Sequence, residues 1–206
     1  MCDIRLFRRA WLDFKAAENL LAVPMNDEAY INNVAYHLQQ AVEKTLKAFL
    51  ECVGVTVPNT HDIDKLVRMS GNNGSCAVVT EWVEDKADML TRWETDTRYD
   101  IDYCVEKTKA VIGLQEVREF LAVNGLKEEL REELQQNGVK EQLRSFFPKD
   151  FEPKDNFEWN CFYQIYRKRL MRYNQSNCAS NESNLLTKNG GQQHESIYGQ
   201  GFSPVN

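Results

Sequence analysis

The sequence predicts an all-α protein: an up-and-down bundle of about five helices, a C-terminal helical extension and a disordered tail. Two observations carry that reading. Apolar residues return at steps of three and four along most of the first 123 residues, the period that builds one face of a helix. No stretch of alternating apolar and polar residues is long enough for a strand, and no internal repeat is present.

Residues 3–23 form the first expected helix, with Ile4, Phe7, Trp11, Phe14, Ala17 and Leu21 on its apolar face and Pro24 as its stop. Asn26 is placed to cap the second helix, and Asp27 and Glu28 in its first turn suit the helix dipole. That helix runs to about Val53, with Val34, Leu38, Ala41, Val42, Thr45, Phe49 and Cys52 on one face, and Gly54 ends it. His61-Asp62 opens a short helix through Ile63, Leu66 and Val67. Ser70 to Ser75 read as a loop, and Ser75 as the cap of a helix from Cys76 to Trp93. A fifth helix spans about 103–123 and ends near Asn124-Gly125. Residues 126–147 are a charged helical segment broken at Asn137-Gly138, and a last helix covers about 155–173. In the tail, 19 of 33 residues are Asn, Gln, Ser or Gly, leaving too few apolar groups to offset ordering entropy. The expected organisation is therefore a bundle over 1–124, an extension over 125–173 and a disordered tail over 174–206.

With 25 basic and 31 acidic residues the net charge is -6, which argues against a general nucleic-acid coat. The acidity is uneven: net -6 over residues 1–123, net +1 over 124–173 and net -1 over the tail. Any nucleic-acid contact must therefore be local. No segment approaches the length of a membrane span, and the charged N-terminus lacks the apolar core of a secretory signal. The six cysteines form no metal-binding spacing and lie far from the three histidines, so separate thiols in a reducing cytoplasm are expected, with no metal and no cofactor.

Three features carry possible chemistry. On the second helix, Asn33, His37, Gln40, Lys44 and Lys47 fall on one side, opposite Leu38 and Phe49. Such a stripe can grip a phosphate or a base edge, or be an ordinary solvated face. Thr60-His61-Asp62 can cap a helix or contact a ligand. The segment from Trp93 to Asp100 places Arg98 among hydroxyls and carboxylates, where it can hold phosphate or pair with Asp96, Asp100 or Glu43. In the last helix, Trp159, Phe162, Tyr166, Leu170 and Tyr173 form a stripe beside Arg167, Lys168, Arg169 and Arg172, suited to packing or to RNA.

Together, the helix from Tyr36 to Leu50 (YHLQQAVEKTLKAFL), then Gly54, Pro58, Thr60-His61-Asp62 and Arg98-Tyr99, resemble the HEPN domain over about residues 4–123. This helical domain is often encoded beside minimal nucleotidyltransferases in prokaryotes. The resemblance implies a helical bundle that usually dimerises and is linked to nucleotide binding, to toxin–antitoxin pairs and, in many branches, to metal-independent RNA cleavage. The cleaving branches carry an Arg and a His with four to six residues between them. Here Arg98 is followed by Tyr103, Cys104 and Val105, so the proton-moving histidine is missing. The resemblance therefore implies a cytoplasmic homodimer that binds a nucleotide or RNA, or pairs with a nucleotidyltransferase. Arg98 would hold phosphate, Asp96, Asp100 and Glu43 would orient it, and Tyr99, Asn33, Gln40, Lys44, Lys47, His61 and Asp62 would line the site. The rival expectations are an RNase toxin that uses His61 or His37 with Arg98, and an interaction module with an empty groove.

Overall fold

The structure, a computed structural model, describes residues 4–24, 29–57 and 59–189, with side chains as far as Asn177. Among the described residues the secondary structure is helical throughout: α1 (Ile4–Ala22), α2 (Tyr30–Cys52), α3 (Ile63–Asn72), α4 (Glu81–Asp85), α5 (Ala87–Tyr99), α6 (Lys107–Val123), α7 (Val139–Arg144) and α8 (Asn156–Asn189), with a 3-10 turn at Glu132–Gln135. The expected cap Asn26, with Asp27 and Glu28, lies outside the described residues. Two compact units result, residues 1–166 and 167–206.

In the first unit α2 is the central element, packed against α1, α3, α5 and α6. Its periodic face is buried as expected, from Val34 through Leu38 and Val42 to Phe49. Phe7 of α1 meets Phe49, ring centroids 4.7 Å apart, while Asp13 meets His37 and Lys44, so α1 and α2 run antiparallel. Trp93 of α5 is the largest fully buried side chain. It reaches α6 at Gly113, where a Cβ would lie 2.8 Å from the indole. A glycine inside a helix costs about 1 kcal/mol relative to alanine, and here it makes room for the indole.

Several boundaries differ from the periodic reading, each for a local reason. Residues 76–80, expected as helix, hold no helix, because Asn124 clamps Val78 by accepting from its N–H and donating to its C=O, both at 2.8 Å. Ser75 does not cap a helix; its hydroxyl accepts from the Ala77 N–H. The helix instead starts at Glu81, breaks at Lys86 and continues to Tyr99, so residues 94–99 are helical. α3 runs through Ser70-Gly71-Asn72, which composition assigns to a loop. α6 begins at Lys107 rather than 103, because Asn32 pins the preceding non-helical segment at the Tyr103 carbonyl and the Val105 N–H, 2.7 and 2.9 Å. The segment 126–147 holds only the 3-10 turn and α7, which starts after Gly138 at φ +86°.

The extension is tied to the bundle as far as Tyr166. Asn160 donates to the Lys127 and Glu129 carbonyls and accepts from the Arg131 N–H. Arg131 in turn donates to the Ala122 and Val123 carbonyls at the end of α6. Gly125 (φ +86°) passes so close to Asn160 that a Cβ would sit 2.7 Å from its carbonyl oxygen. Phe147, Phe151, Phe162 and Tyr166 form an aromatic cluster, so this part of the expected stripe packs.

The second unit is α8 beyond Tyr166. The helix runs to Asn189 rather than ending near 173, because no Gly or Pro interrupts the chain from Asn156 to Asn189. Polar composition limits burial without forbidding a helix. Residues 190–206 of the expected tail lie outside the described residues. Cys52 is disulfide-bonded, against the expectation of separate thiols, while Cys76, Cys104 and Cys161 are free. Sequence spacing identifies clustered metal ligands but says nothing of cysteines that folding brings together. Among the described residues no helix is long and apolar enough to cross a membrane.

Candidate functional site

Arg98 lies in the last turn of α5, where a cation suits the helix dipole. Its side chain is 43% exposed. Nη1 pairs with Glu94, one turn back on the same helix, and Nη2 donates to the Tyr99 hydroxyl at 2.9 Å. The guanidinium also lies 5.0 Å from the Tyr99 ring centroid and 5.7 Å from that of Tyr36 on α2. Tyr99 itself is 73% exposed. A guanidinium carries five donors in a plane, so fixing two of its nitrogens sets the orientation of the rest. Glu94 is buried and points at this cation.

The carboxylates expected to orient Arg98 do other things. Asp96 accepts from the Thr95 hydroxyl at 3.0 Å, and Asp100 accepts from the Asp102 N–H at 3.0 Å in the turn after α5. Glu43 lies buried on α2 and gathers four neighbours, one of them Gln40, which donates to its Oε2 at 3.5 Å. Lys47 donates to its Oε1 at 2.7 Å, Gln39 donates to its Oε2 at 2.7 Å, and the His61 Nδ1 lies 3.0 Å from the same oxygen. Gln40 donates to Gln39 at 2.8 Å, completing a network of buried amides.

The polar stripe of α2 is therefore not one groove, and not a solvated face either. Gln40 and Lys47 belong to the Glu43 network. Lys44 and His37 turn toward α1, where both meet Asp13. Burial pushes the Asp13 carboxyl up, but the bonds and charges of His37 and Lys44 outweigh it and hold the group below the ordinary carboxylate value. Asn33 is exposed. Asp62 caps α3 by accepting from the Lys65 N–H at 2.9 Å, as a helix-start aspartate should.

Of the expected residues, the structure thus brings Arg98 and Tyr99 together, and separately Gln40, Glu43, Lys47 and His61. Tyr36 contacts Arg98 and Glu43 contacts His61; these α2 residues are seven apart, roughly 10 Å of helix. Glu94 and Tyr36 join the site without a signal in the periodic reading. An acid four residues before an arginine is a readable cue, but only once the helix is known to continue past Trp93.

The segment where cleaving relatives of the suggested family place histidine holds Tyr103, half-buried. Burial and the nearby Asp96 raise its phenol above the ordinary value, so it keeps its proton near neutrality. Tyr103 also borders a cavity of about 430 Å³ with Asp88, Arg92, Trp93 and Lys109, and Arg98 is not part of its wall. Arg92 and Arg98 are six residues apart, which puts them on different faces of α5. Among the described residues no cluster of His, Cys, Asp and Glu is arranged to hold a metal.

A family model described as HEPN domain matches residues 5–133, more than half of the chain. No curated protein and no solved structure matches the chain. The oriented Arg98-Tyr99 pair at the end of α5, the Glu43 network of α2 and the all-α architecture are the structural counterparts of the motifs that suggested this family, and the chain belongs to the HEPN-domain family.

Proposed function

We propose that this HEPN-family protein binds the phosphate of a nucleotide or of RNA at Arg98, as a homodimer that partners a minimal nucleotidyltransferase in a toxin–antitoxin-type or regulatory system, and that it does not cleave RNA by the Arg–His route. The carrying observation is the state of Arg98. A buried carboxylate and two tyrosines fix its guanidinium while leaving it open to water. A charge-assisted, bidentate phosphate contact needs that kind of presentation. The exposed Tyr99 ring beside it offers a face on which a base can stack. The dimer and the nucleotidyltransferase partner rest on the family resemblance.

Calorimetry with ATP tests the binding. Arg98→Ala is expected to weaken affinity by about tenfold or more, the loss of a charged hydrogen-bond pair. Arg98→Lys should restore only part of it, because the ammonium lacks the planar fork. Equal affinity of wild type and Arg98→Ala would remove Arg98 from the site.

One observation favours the RNase reading as a second possibility. Glu43 holds the Nδ1 of His61, an arrangement that fixes an imidazole for proton transfer at Nε2. That reading expects growth arrest on expression, relieved by either Arg98→Ala or His61→Ala. Tolerated expression with intact cellular RNA would exclude it.

A further inference from the structure

We propose that residues 167–177 of α8 are a contact arm for single-stranded RNA, separate from Arg98 and outside the matched family segment. The first ground is charge. The chain carries 31 acids, yet the 23 residues from Trp159 to Asn181 contain none, while four cations fall at Arg167, Lys168, Arg169 and Arg172. Nine cations elsewhere meet carboxylates: Arg8, Lys15, Lys44, Lys47, Arg68, Arg98, Lys109, Arg118 and Arg144. No acid lies within eight residues of Arg167, Lys168 or Arg172 in the sequence.

The second ground is spacing. Lys168 and Arg172 stand four residues apart, and Arg169 and Arg172 three apart. Like charges at these steps share a helix face and repel. A polyanion laid along that face removes the repulsion, and each neutralised phosphate releases counterions. The third ground is exposure. Every residue from Lys168 to Asn177 except Leu170 is exposed, including Met171 and Tyr173.

The composition favours RNA over a lipid surface. Asn174 and Gln175 follow the cations and supply hydrogen-bonding groups for phosphate and base edges. A membrane-surface helix needs a wide apolar face to insert, and this segment has only Leu170, Met171 and Tyr173. Tyr173 among arginines is a stacking platform of the kind single strands use.

The test is fluorescence anisotropy of the full chain with a labelled oligouridylate of about 16 nucleotides, the upper size of a single-strand site. The variant Arg167→Gln/Lys168→Gln/Arg172→Gln keeps helix-forming residues at these positions, and circular dichroism checks the helix. Its RNA affinity should fall by about tenfold or more at low salt, and its log–log salt slope should shrink by about two, the share of three phosphate contacts on a single strand. Its affinity for ATP should equal that of wild type, which separates this outcome from a failure of the Arg98 site. The charge-preserving Arg167→Lys/Arg172→Lys variant should retain most of the RNA binding. Unchanged affinity and slope in the Gln variant would overturn the proposal. So would wild-type binding to phosphatidylserine vesicles without binding to RNA, or equal loss in the Lys variant.

Discussion

The cations of α2 and those of α8 answer to opposite rules. Along α2, Lys44 and Lys47 each end on a carboxylate, Asp13 or Glu43, that is itself largely shielded from water. Along α8, four cations stand in an acid-free stretch, three of them exposed. Residue type is the same in both places and the consequence differs. On α2 a lysine satisfies the interior, and its removal should be felt as stability. On the proposed α8 arm, Arg167, Lys168 and Arg172 are left for a partner, and their removal should be felt as binding. Arg98 stands between the two: one of its sides is fixed by buried Glu94, and the other faces water.

The largest expected effect attacks the α2 side of this contrast. Glu43→Ala strips Lys47, Gln39 and His61 of a shared acceptor. Breaking a buried charge pair costs about 3–5 kcal/mol, so urea denaturation should show a loss of that order. A loss no larger than that of an exposed residue would mean the network is solvated.

The next effect is pH-dependent. Asp13→Asn should cost about 1–2 kcal/mol near neutrality, the worth of hydrogen bonds to a charged group. The folded state holds the Asp13 carboxyl below its ordinary value of 3.8. Its stabilisation is therefore complete above that pH and is lost as pH falls through the lower folded value. Wild type and variant should converge in thermal melts taken below pH 3.8, where wild type loses the advantage. A gap that persists there would assign the effect to packing rather than charge.

The smallest stability effect belongs to α8. The Arg167→Gln/Lys168→Gln/Arg172→Gln variant should melt within about 0.5 kcal/mol of wild type, as surface substitutions do. A clear destabilisation would place these cations with those of α2 and weaken the contrast.

Much of the fold is legible in the sequence because burial is periodic. The apolar sets of α1 and α2 name the core, and the pairing of Phe7 with Phe49 follows from them. Boundaries fail where a single side chain overrides the period. Asn124 and Asn32 each hold a non-helical segment by bonding its backbone N–H and C=O, at 76–80 and 103–106, and nothing in composition marks an asparagine as a clamp. The same failure hides the partner of Arg98. With α5 ended at Trp93, Asp96 and Asp100 are the natural neighbours; with α5 carried to Tyr99, helix phase selects Glu94. The polar stripe of α2 is visible in the sequence, but a stripe read from one helix cannot say which helices face it. α1 takes His37 and Lys44, and the segment before α3 brings His61 to Glu43.

In the proposed function Arg98, oriented by Glu94, is the group that meets phosphate. Heteronuclear NMR of the Arg98 Nε–Hε signal during titration with ATP tests it most directly. A saturable shift of that signal is expected, with the Arg92 signal at the neighbouring cavity unmoved. Saturable ATP binding that shifts Arg92 and leaves Arg98 in place would contradict the claim.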